Sequence, residues 1–519
     1  MSLPSEQPAV HPSPGPGATD KGLKGGALGL FSSTVIGLAS TAPAYSLAAT
    51  LGVIVGIVGF QSPTVVILAF VPMFLIAYGY KELNQADPDC GTTFTWASRA
   101  FGPRTGWLGG WGIVAADIIV MANLAQIAGA YGFQLVGAHG LAEDTFWVTV
   151  VGVVWIAVMT LICYLGIEIS ANLQKVLLTI EIVVLFLLAI TALVKVYGGT
   201  APSVSSELQW SWFNPAQIHS LDDLTKSVLA GVFIYWGWDT AVSVNEETID
   251  RDRTPGRAAV ISTVILLLVY VLVTTSAQAF AGVGEHGIGL ANPDNSGDVL
   301  SSLGAEVFGT GGWGETATKL LILMVLTSAA ASTQTTILPT ARTTLSMAAF
   351  KAIPDRFARI HPRFLTPTWS TVGMGLASIV FYVMLTRVSE NVLADSIGSV
   401  GLMIAFYYGL TGFACVWYYR KVLTRSPRDL WTKGIMPGLG GVLLLYFFLN
   451  ACVVYSASDY GSTSWTLPFP PHWQLGGVFV TGIGALLLGA VLMLVYQTIR
   501  PSFFRKETIP VSAHEPDGR

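Results

Sequence analysis

The sequence predicts an all-α membrane protein of twelve transmembrane helices. The 519 residues are 52% hydrophobic and only 11% charged, whereas an average soluble domain carries about 25% charged residues. Twelve stretches approach the roughly 20 apolar residues that a spanning helix needs. Their helical period excludes a membrane β-barrel, whose strands alternate over about ten residues.

The first window, residues 27–58, carries Gly37 and Pro43; the second, 63–82, ends at Tyr80-Lys81-Glu82. Window three, 105–135, starts after Arg104 and contains Asp117, window four covers 145–165, and window five, 169–194, contains Glu181. A polar loop over 197–223 leads to the sixth, 225–247. The seventh, 257–282, follows Arg251, Arg253 and Arg257; the eighth, 316–345, is rich in Ser and Thr. After a basic loop come 368–386, 392–419, 434–456 and 473–498.

Basic residues flank cytoplasmic span ends. All but Lys195, Lys226, Lys319 and Arg387 fall on the side of the N-terminus, which places both termini in the cytoplasm of a multi-pass cell membrane protein. The expected organisation is a disordered tail over 1–26, a first five-helix unit over 27–195, a second over 225–420, two additional helices within 434–498 and a cytoplasmic tail over 499–519. The first apolar stretch is too long for a cleavable signal. Cys90, Cys163, Cys415 and Cys452 form no Cys-x-x-Cys pair, so neither a disulfide framework nor a metal site is indicated. The net charge of -4 gives no reason to expect nucleic acid.

Asp239 is the most informative residue. It lies in the apolar run Gly231 to Glu247, where a charge near the bilayer centre costs from about 2.5 to more than 10 kcal/mol and therefore faces a wet cavity or a partner. Beside it, Tyr235-Trp236-Gly237-Trp238 makes a poor helix interior, Gly237 adding roughly 1 kcal/mol relative to Ala. A matching interruption runs from Ser32 to Pro43 in the first window. Interruptions at corresponding places in two halves point to an inverted-repeat transporter with its site at mid-membrane; a simple kink in a packed helix is the rival for Gly37 and Pro43.

Three further motifs add to this. They are Tyr80-Lys81-Glu82-Leu83 with Pro88-Asp89-Cys90-Gly91-Thr92-Thr93-Phe94-Thr95-Trp96 and Phe101-Gly102-Pro103 through Gly110-Trp111; Asn245-Glu246-Glu247-Thr248 with Arg253-Thr254-Pro255-Gly256-Arg257-Ala258; and Ala341-Arg342 through Phe350, Ile353-Pro354 and His361-Pro362-Arg363 to Thr366-Pro367. In this order on a twelve-span chain they resemble the amino acid, polyamine and organocation transporter superfamily. The resemblance covers residues 25–420, with Cys90-Gly91 where two glycines are usual. It implies a LeuT-like fold, a five-plus-five inverted repeat with two C-terminal helices, working by alternating access. It also implies a substrate carboxylate held at Ile36, Gly37, Leu38, Ala39 and Ser40, and an amine at the sixth segment. The usual G-x-G is here Gly37-Leu38-Ala39, and Ala39 admits less close backbone approach, which favours an amine-only ligand such as a polyamine.

Asp239 matches the acid that follows the segment-six glycine in arginine/agmatine and putrescine/ornithine exchangers; capping the inner half-helix is its rival role. Phe233, Tyr235, Trp236 and Trp238 are candidates for an aromatic gate, Phe233 and Trp236 foremost, a ring face offering an amine about 0.5–2 kcal/mol. Ordinary core packing is the other reading. Glu181, with Ser328, Ser332 and Thr333 of the eighth window, is the candidate ion-coupling site. Its rival role is an interhelical hydrogen bond, and the hydroxyls equally suit bonds to their own i−4 carbonyls. Asp117 faces the same cavity or pairs with Gln126. Glu246 and Glu247 lie opposite Arg251, Arg253 and Arg257, as a gate or as a solvated cluster.

The function expected is secondary active transport of amino acids or polyamines, coupled to protons and favouring cations, with a small-molecule substrate, the proton and the bilayer as partners. An inorganic-cation transporter on the same fold, potassium foremost, is the main alternative. A receptor would need more than the short tails, and no nucleophile, base or metal cluster at catalytic spacing supports an enzyme. No cofactor is expected.

Overall fold

The computed structural model describes residues 21–295, 298–309, 311–388 and 390–509. The first segment runs as α1 (Leu30–Ser40), breaks at Thr41 and Ala42, and resumes as α2 (Pro43–Val58). Proline disfavours helical backbone in the residue before it and lacks an N–H of its own; Ala42 accordingly takes φ 45°. A turn ending in Gln61 leads to α3 (Ser62–Ala86), followed by α4 (Thr93–Phe101) and α5 (Pro103–Leu135). After the one-turn α6 (His139–Ala142), Asp144 caps α7 (Thr145–Leu165) by accepting from the Phe146 and Trp147 amides, and α8 (Ile167–Tyr197) follows.

The sixth segment is discontinuous. α9 (Leu221–Ile234), capped by Ser220, stops before Tyr235, and the chain is unwound until α10 (Thr240–Ser243). Then come α11 (Thr254–Ala281), α12 (Val299–Phe308), α13 (Trp313–Ala349), α14 (Thr368–Val388) and α15 (Glu390–Tyr419). The C-terminal part holds α16 (Pro427–Asp429), a wide-turn stretch Leu430–Ile435, α17 (Met436–Val454), α18 (Gly477–Ile499) and α19 (Pro501–Phe504). Among the described residues a hairpin departs from all-α: β1 (Ser464–Thr466) and β2 (Gln474–Gly476), antiparallel with Trp465 opposite Leu475.

Among the described residues ten stretches are long and apolar enough to cross a membrane. Twelve windows are expected from the sequence, and the difference has two local causes. The first two windows lie in one 57-residue stretch, Leu30–Ala86, while the sixth divides into a 14-residue and a 4-residue helix, neither long enough alone. α5, α13 and α15 form the interior, 78% of each apolar window being buried, against 22% for α18. α13 packs along α5, α15 along α5 and α17, and α11 along α1 and α3. The outer helices leave apolar rows uncovered, Val154, Val158 and Leu161 on α7 and Leu487, Val491 and Leu494 on α18, which only lipid accommodates at no cost.

Part of the stretch expected as the N-terminal tail is ordered. Residues 1–20 and 510–519 lie outside the described residues, but the Lys21 side chain is 2% exposed between Asp89 and Glu246. Ala27 and Leu28 donate backbone N–H groups to the Glu247 carbonyl at 2.8 and 3.0 Å. Residues 21–26 thus belong to the body. So does the start of the C-terminal tail, where Phe503 stacks on Phe94 with centroids 5.6 Å apart.

Candidate functional site

The two breaks touch. Gly237 sits at φ +120°, and a Cβ there would lie 2.7 Å from the Ser40 carbonyl oxygen, so only glycine fits both the backbone and the contact. Ser40 Oγ and Thr240 Oγ1 are 2.8 Å apart, and Ser332 Oγ donates to the Ser40 carbonyl at 3.2 Å. Gly37 lies inside intact α1, three residues short of its end. A Cβ at Gly37 would meet Ser262 Oγ at 2.7 Å and the Trp238 carbonyl at 3.3 Å, so its smallness serves helix contact with the sixth segment.

A small cavity opens where the breaks meet, lined by Ser40, Trp236, Gly237, Asp239 and Thr240 from the two interrupted segments. α5 adds Ile113 and Asp117, α13 adds Thr336 and Pro339, and α15 adds Tyr407. Asp239 is 3% exposed; its Oδ1 accepts from Tyr408 Oη at 2.8 Å and its Oδ2 from Tyr407 Oη at 3.3 Å. Trp236 Nε1 donates in turn to Tyr407 Oη. Asp239 precedes α10, yet its side chain makes no capping bond, so the capping role is set aside. Asp117 faces the cavity and accepts from Thr340 Oγ1; Gln126, the other partner considered, accepts from Tyr382 Oη at 2.7 Å.

Several residues expected here lie elsewhere. Ile36, Leu38 and Ala39 are buried in the core of α1, and Ser40 alone of that group reaches the cavity. Phe233 packs in the main hydrophobic cluster. Tyr235 turns away to stack edge-on with Tyr270 at 5.1 Å, and Trp238 meets Tyr80 edge-on at the same 5.1 Å. Of the aromatic gate only Trp236 lines the cavity. The sequence reading missed Ile113, Thr240, Thr336, Pro339, Tyr407 and Tyr408 as site residues. Pro339 carried the one usable signal: a proline inside a helix leaves the carbonyl four residues back unpaired, and Thr240 Oγ1 approaches that carbonyl, Thr335 O, at 3.5 Å.

Glu181 lies beside the first segment and α13, where it was expected, and there it holds the first break. Its Oε1 accepts from the Ala44 amide at 2.7 Å and from Ser328 Oγ at 2.7 Å, and Ser328 Oγ accepts from the Tyr45 amide at 3.2 Å. The first amides of a helix lack internal partners and carry partial positive charge. A carboxylate of the protein itself therefore occupies the N-terminus of α2. Glu181 Oε2 is buried with no hydrogen-bond partner among the described residues. Thr333 bonds its own i−4 carbonyl, Ala329 O, at 2.7 Å.

At one end of the bundle a buried ionic layer closes the seam. Arg342 grips Glu247 with two bonds of 2.9 Å, both side chains fully buried. Lys21 bridges Asp89 at 2.8 Å and Glu246. Asp89 Oδ1 also accepts from the Gly91 amide, Thr95 Oγ1 and Ser346 Oγ at 2.7–2.8 Å. Burial alone raises the Asp89 carboxyl, but the Lys21 ammonium and these donors outweigh it and hold it below the usual carboxylate range. The partners are not the arginines expected: Arg251 donates to the Pro88 carbonyl at 2.8 Å, and Arg253 lies 3.7 Å from Asp252.

Comparison with known proteins gives a consistent result. The amino acid permease family matches residues 28–498. The low-affinity putrescine importer PlaP of Escherichia coli (strain K12) is 21% identical over 426 residues, 82% of this chain and 88% of PlaP. The mitochondrial cationic amino acid transporter 3 of Arabidopsis thaliana is 23% identical over 352 residues, 66% of this chain and 54% of its own. The branched-chain amino acid permease BcaP of Lactococcus lactis is 23% identical over 232 residues, 41% of this chain and 48% of BcaP. A match running from the residue pair ahead of α1 to the last turn of α18, on a helical body with ten membrane-length stretches, places the chain in the amino acid permease family.

Proposed function

We propose that this permease moves small organic amines across the cell membrane by alternating access, driven by protons, with both termini in the cytoplasm. The cavity carries the reading. It is lined by two carboxylates, hydroxyls and an indole, and by no Lys, Arg or His, while the amides at the start of α2, a natural seat for an anion, are held by Glu181 and Ser328. Such a lining favours ammonium groups, through charge-assisted hydrogen bonds and the face of Trp236. Cationic amines, polyamines among them, fit better than neutral amino acids. The named activities of PlaP and the Arabidopsis transporter lie in the same range.

In this reading residues 27–195 and 225–420 form two inverted five-helix units, 434–498 adds two helices, and the spans number twelve once Leu30–Ala86 is counted as two and the divided sixth is added. The unwound stretch 235–239 and the break at Thr41 are the joints. Glu181 couples the proton: protonation weakens its hold on the Ala44 amide and frees the N-terminus of α2 to move. Cargo on Asp239 and a proton on Glu181 then bias the same pair of states, which is the form coupling takes.

The test is uptake by the purified full chain in proteoliposomes, with labelled putrescine, lysine and leucine, with and without an inward proton gradient. Putrescine or lysine enters faster with the gradient. A hydrogen bond to a charged group is worth about 1.5–3 kcal/mol, so Asp239→Asn lowers that uptake about 10- to 100-fold. Glu181→Gln removes the gradient-driven part and leaves exchange at equal pH. Uptake of leucine alone, indifferent to Asp239→Asn, overturns the proposal.

A further inference from the structure

Asp117 and Asp239 come from different parts of the chain, α5 and the break of the sixth segment, yet line one cavity. Each is 3% exposed. Among the described residues neither has a cationic partner; Asp239 is held there by the hydroxyls of Tyr407 and Tyr408, and Asp117 by that of Thr340, on Oδ2. Nothing among the described residues donates to Asp117 Oδ1. In the buried ionic layer acids are paired with cations, Glu247 with Arg342, and Asp89 and Glu246 with Lys21; Asp117 and Asp239, like Glu181, meet only neutral donors among the described residues. A lone carboxylate in a low-dielectric site is costly, and two in one cavity repel as well.

We propose that Asp117 and Asp239 are the two ends of a dication site, each taking one ammonium of a short diamine, and that Asp117 sets the preference for diamines over monoamines and amino acids. This rests on the amine reading above. One monoamine leaves one of the two carboxylates uncompensated. An α-amino acid brings a carboxylate of its own into a cavity that already holds two, with the α2 amides taken. A diamine neutralises both acids, and its apolar middle suits a lining that includes Ile113 and Pro339.

The experiment measures, with the full chain in proteoliposomes, how well unlabelled putrescine, butylamine and lysine compete with labelled putrescine. The wild type prefers putrescine over butylamine at least tenfold. Asp117→Asn brings that ratio to within about threefold, and Asp117→Glu keeps most of it. Thr340→Val, which removes the hydroxyl but not the charge, retains the preference and serves if Asp117→Asn does not fold: butylamine then competing as well as putrescine in the folded Thr340→Val protein, or an unchanged ratio in Asp117→Asn, overturns the proposal. The failures are distinguishable. If no amine enters the wild type, the amine reading falls; if amines enter and depend on Asp239 while the ratio ignores Asp117, only the dication site falls.

Discussion

Gly237 and Gly37 show how two glycines in matching interruptions do different work. Gly237 combines a positive φ with a backbone oxygen 2.7 Å from where a Cβ would sit, and neither can relax without parting the two segments. Gly37 is an ordinary helical residue whose nearest obstacle is Ser262 Oγ, which can rotate at the loss of its 3.2 Å bond to the Thr34 carbonyl. Gly237→Ala is therefore expected to cost about 2–3 kcal/mol of strain and Gly37→Ala about 1 kcal/mol, read as the larger and smaller drop in apparent Tm in detergent. Equal drops would show that the close approach at Ser40 is not a constraint. At this scale Asp239 was legible, because a carboxylate in an apolar run needs a reason. Asp117 was legible only as an oddity: α5 is buried on most sides, and nothing in its sequence says whether residue 117 points toward Gln126 or the cavity.

Among the elements, the sixth segment breaks where its composition says it should, at Tyr235, whereas the first breaks later than the glycine suggested. α1 is unbroken through Ser40. Proline decides the matter, because it acts on the residue before it and removes an N–H, while a lone glycine costs a helix only about 1 kcal/mol, which packing easily offsets. α12 escaped notice because its ten residues are too few to register as a span. The sixth segment and α13 are joined at the ionic layer by Glu247 and Arg342. Breaking a fully buried pair leaves a bare charge, so Arg342→Ala is expected to cost about 3–5 kcal/mol, while an apolar pair, Arg342→Met with Glu247→Leu, recovers most of it. Thermal unfolding of the three variants checks this; a double variant no better than the single one would mean that the charges serve more than each other.

On the scale of the whole molecule, composition and period were enough to read a helical membrane protein, and the order of three motifs was enough for the family. What stayed hidden was which helices are central. The apolar faces of α7 and α18 meet lipid and those of α5 and α13 meet protein, and a spanning helix is greasy in either setting. The partners of the buried ionic layer were hidden for a similar reason. Arg342 stands 95 residues from Glu247, and Lys21 was counted with the tail.

Lys21 gives the N-terminus a defined starting point. Its ammonium is the cation that Asp89 and Glu246 share. A polypeptide trimmed to begin at residue 21 keeps that counter-charge. One beginning at residue 23 faces two acids toward each other across a dry seam and is expected to lose several degrees of apparent Tm; in the full chain Lys21→Gln shows the same loss and Lys21→Arg does not. Indifference to the two missing residues would show that water or salt ions fill the gap. Affinity tags for purification consequently belong ahead of this lysine, with slack between.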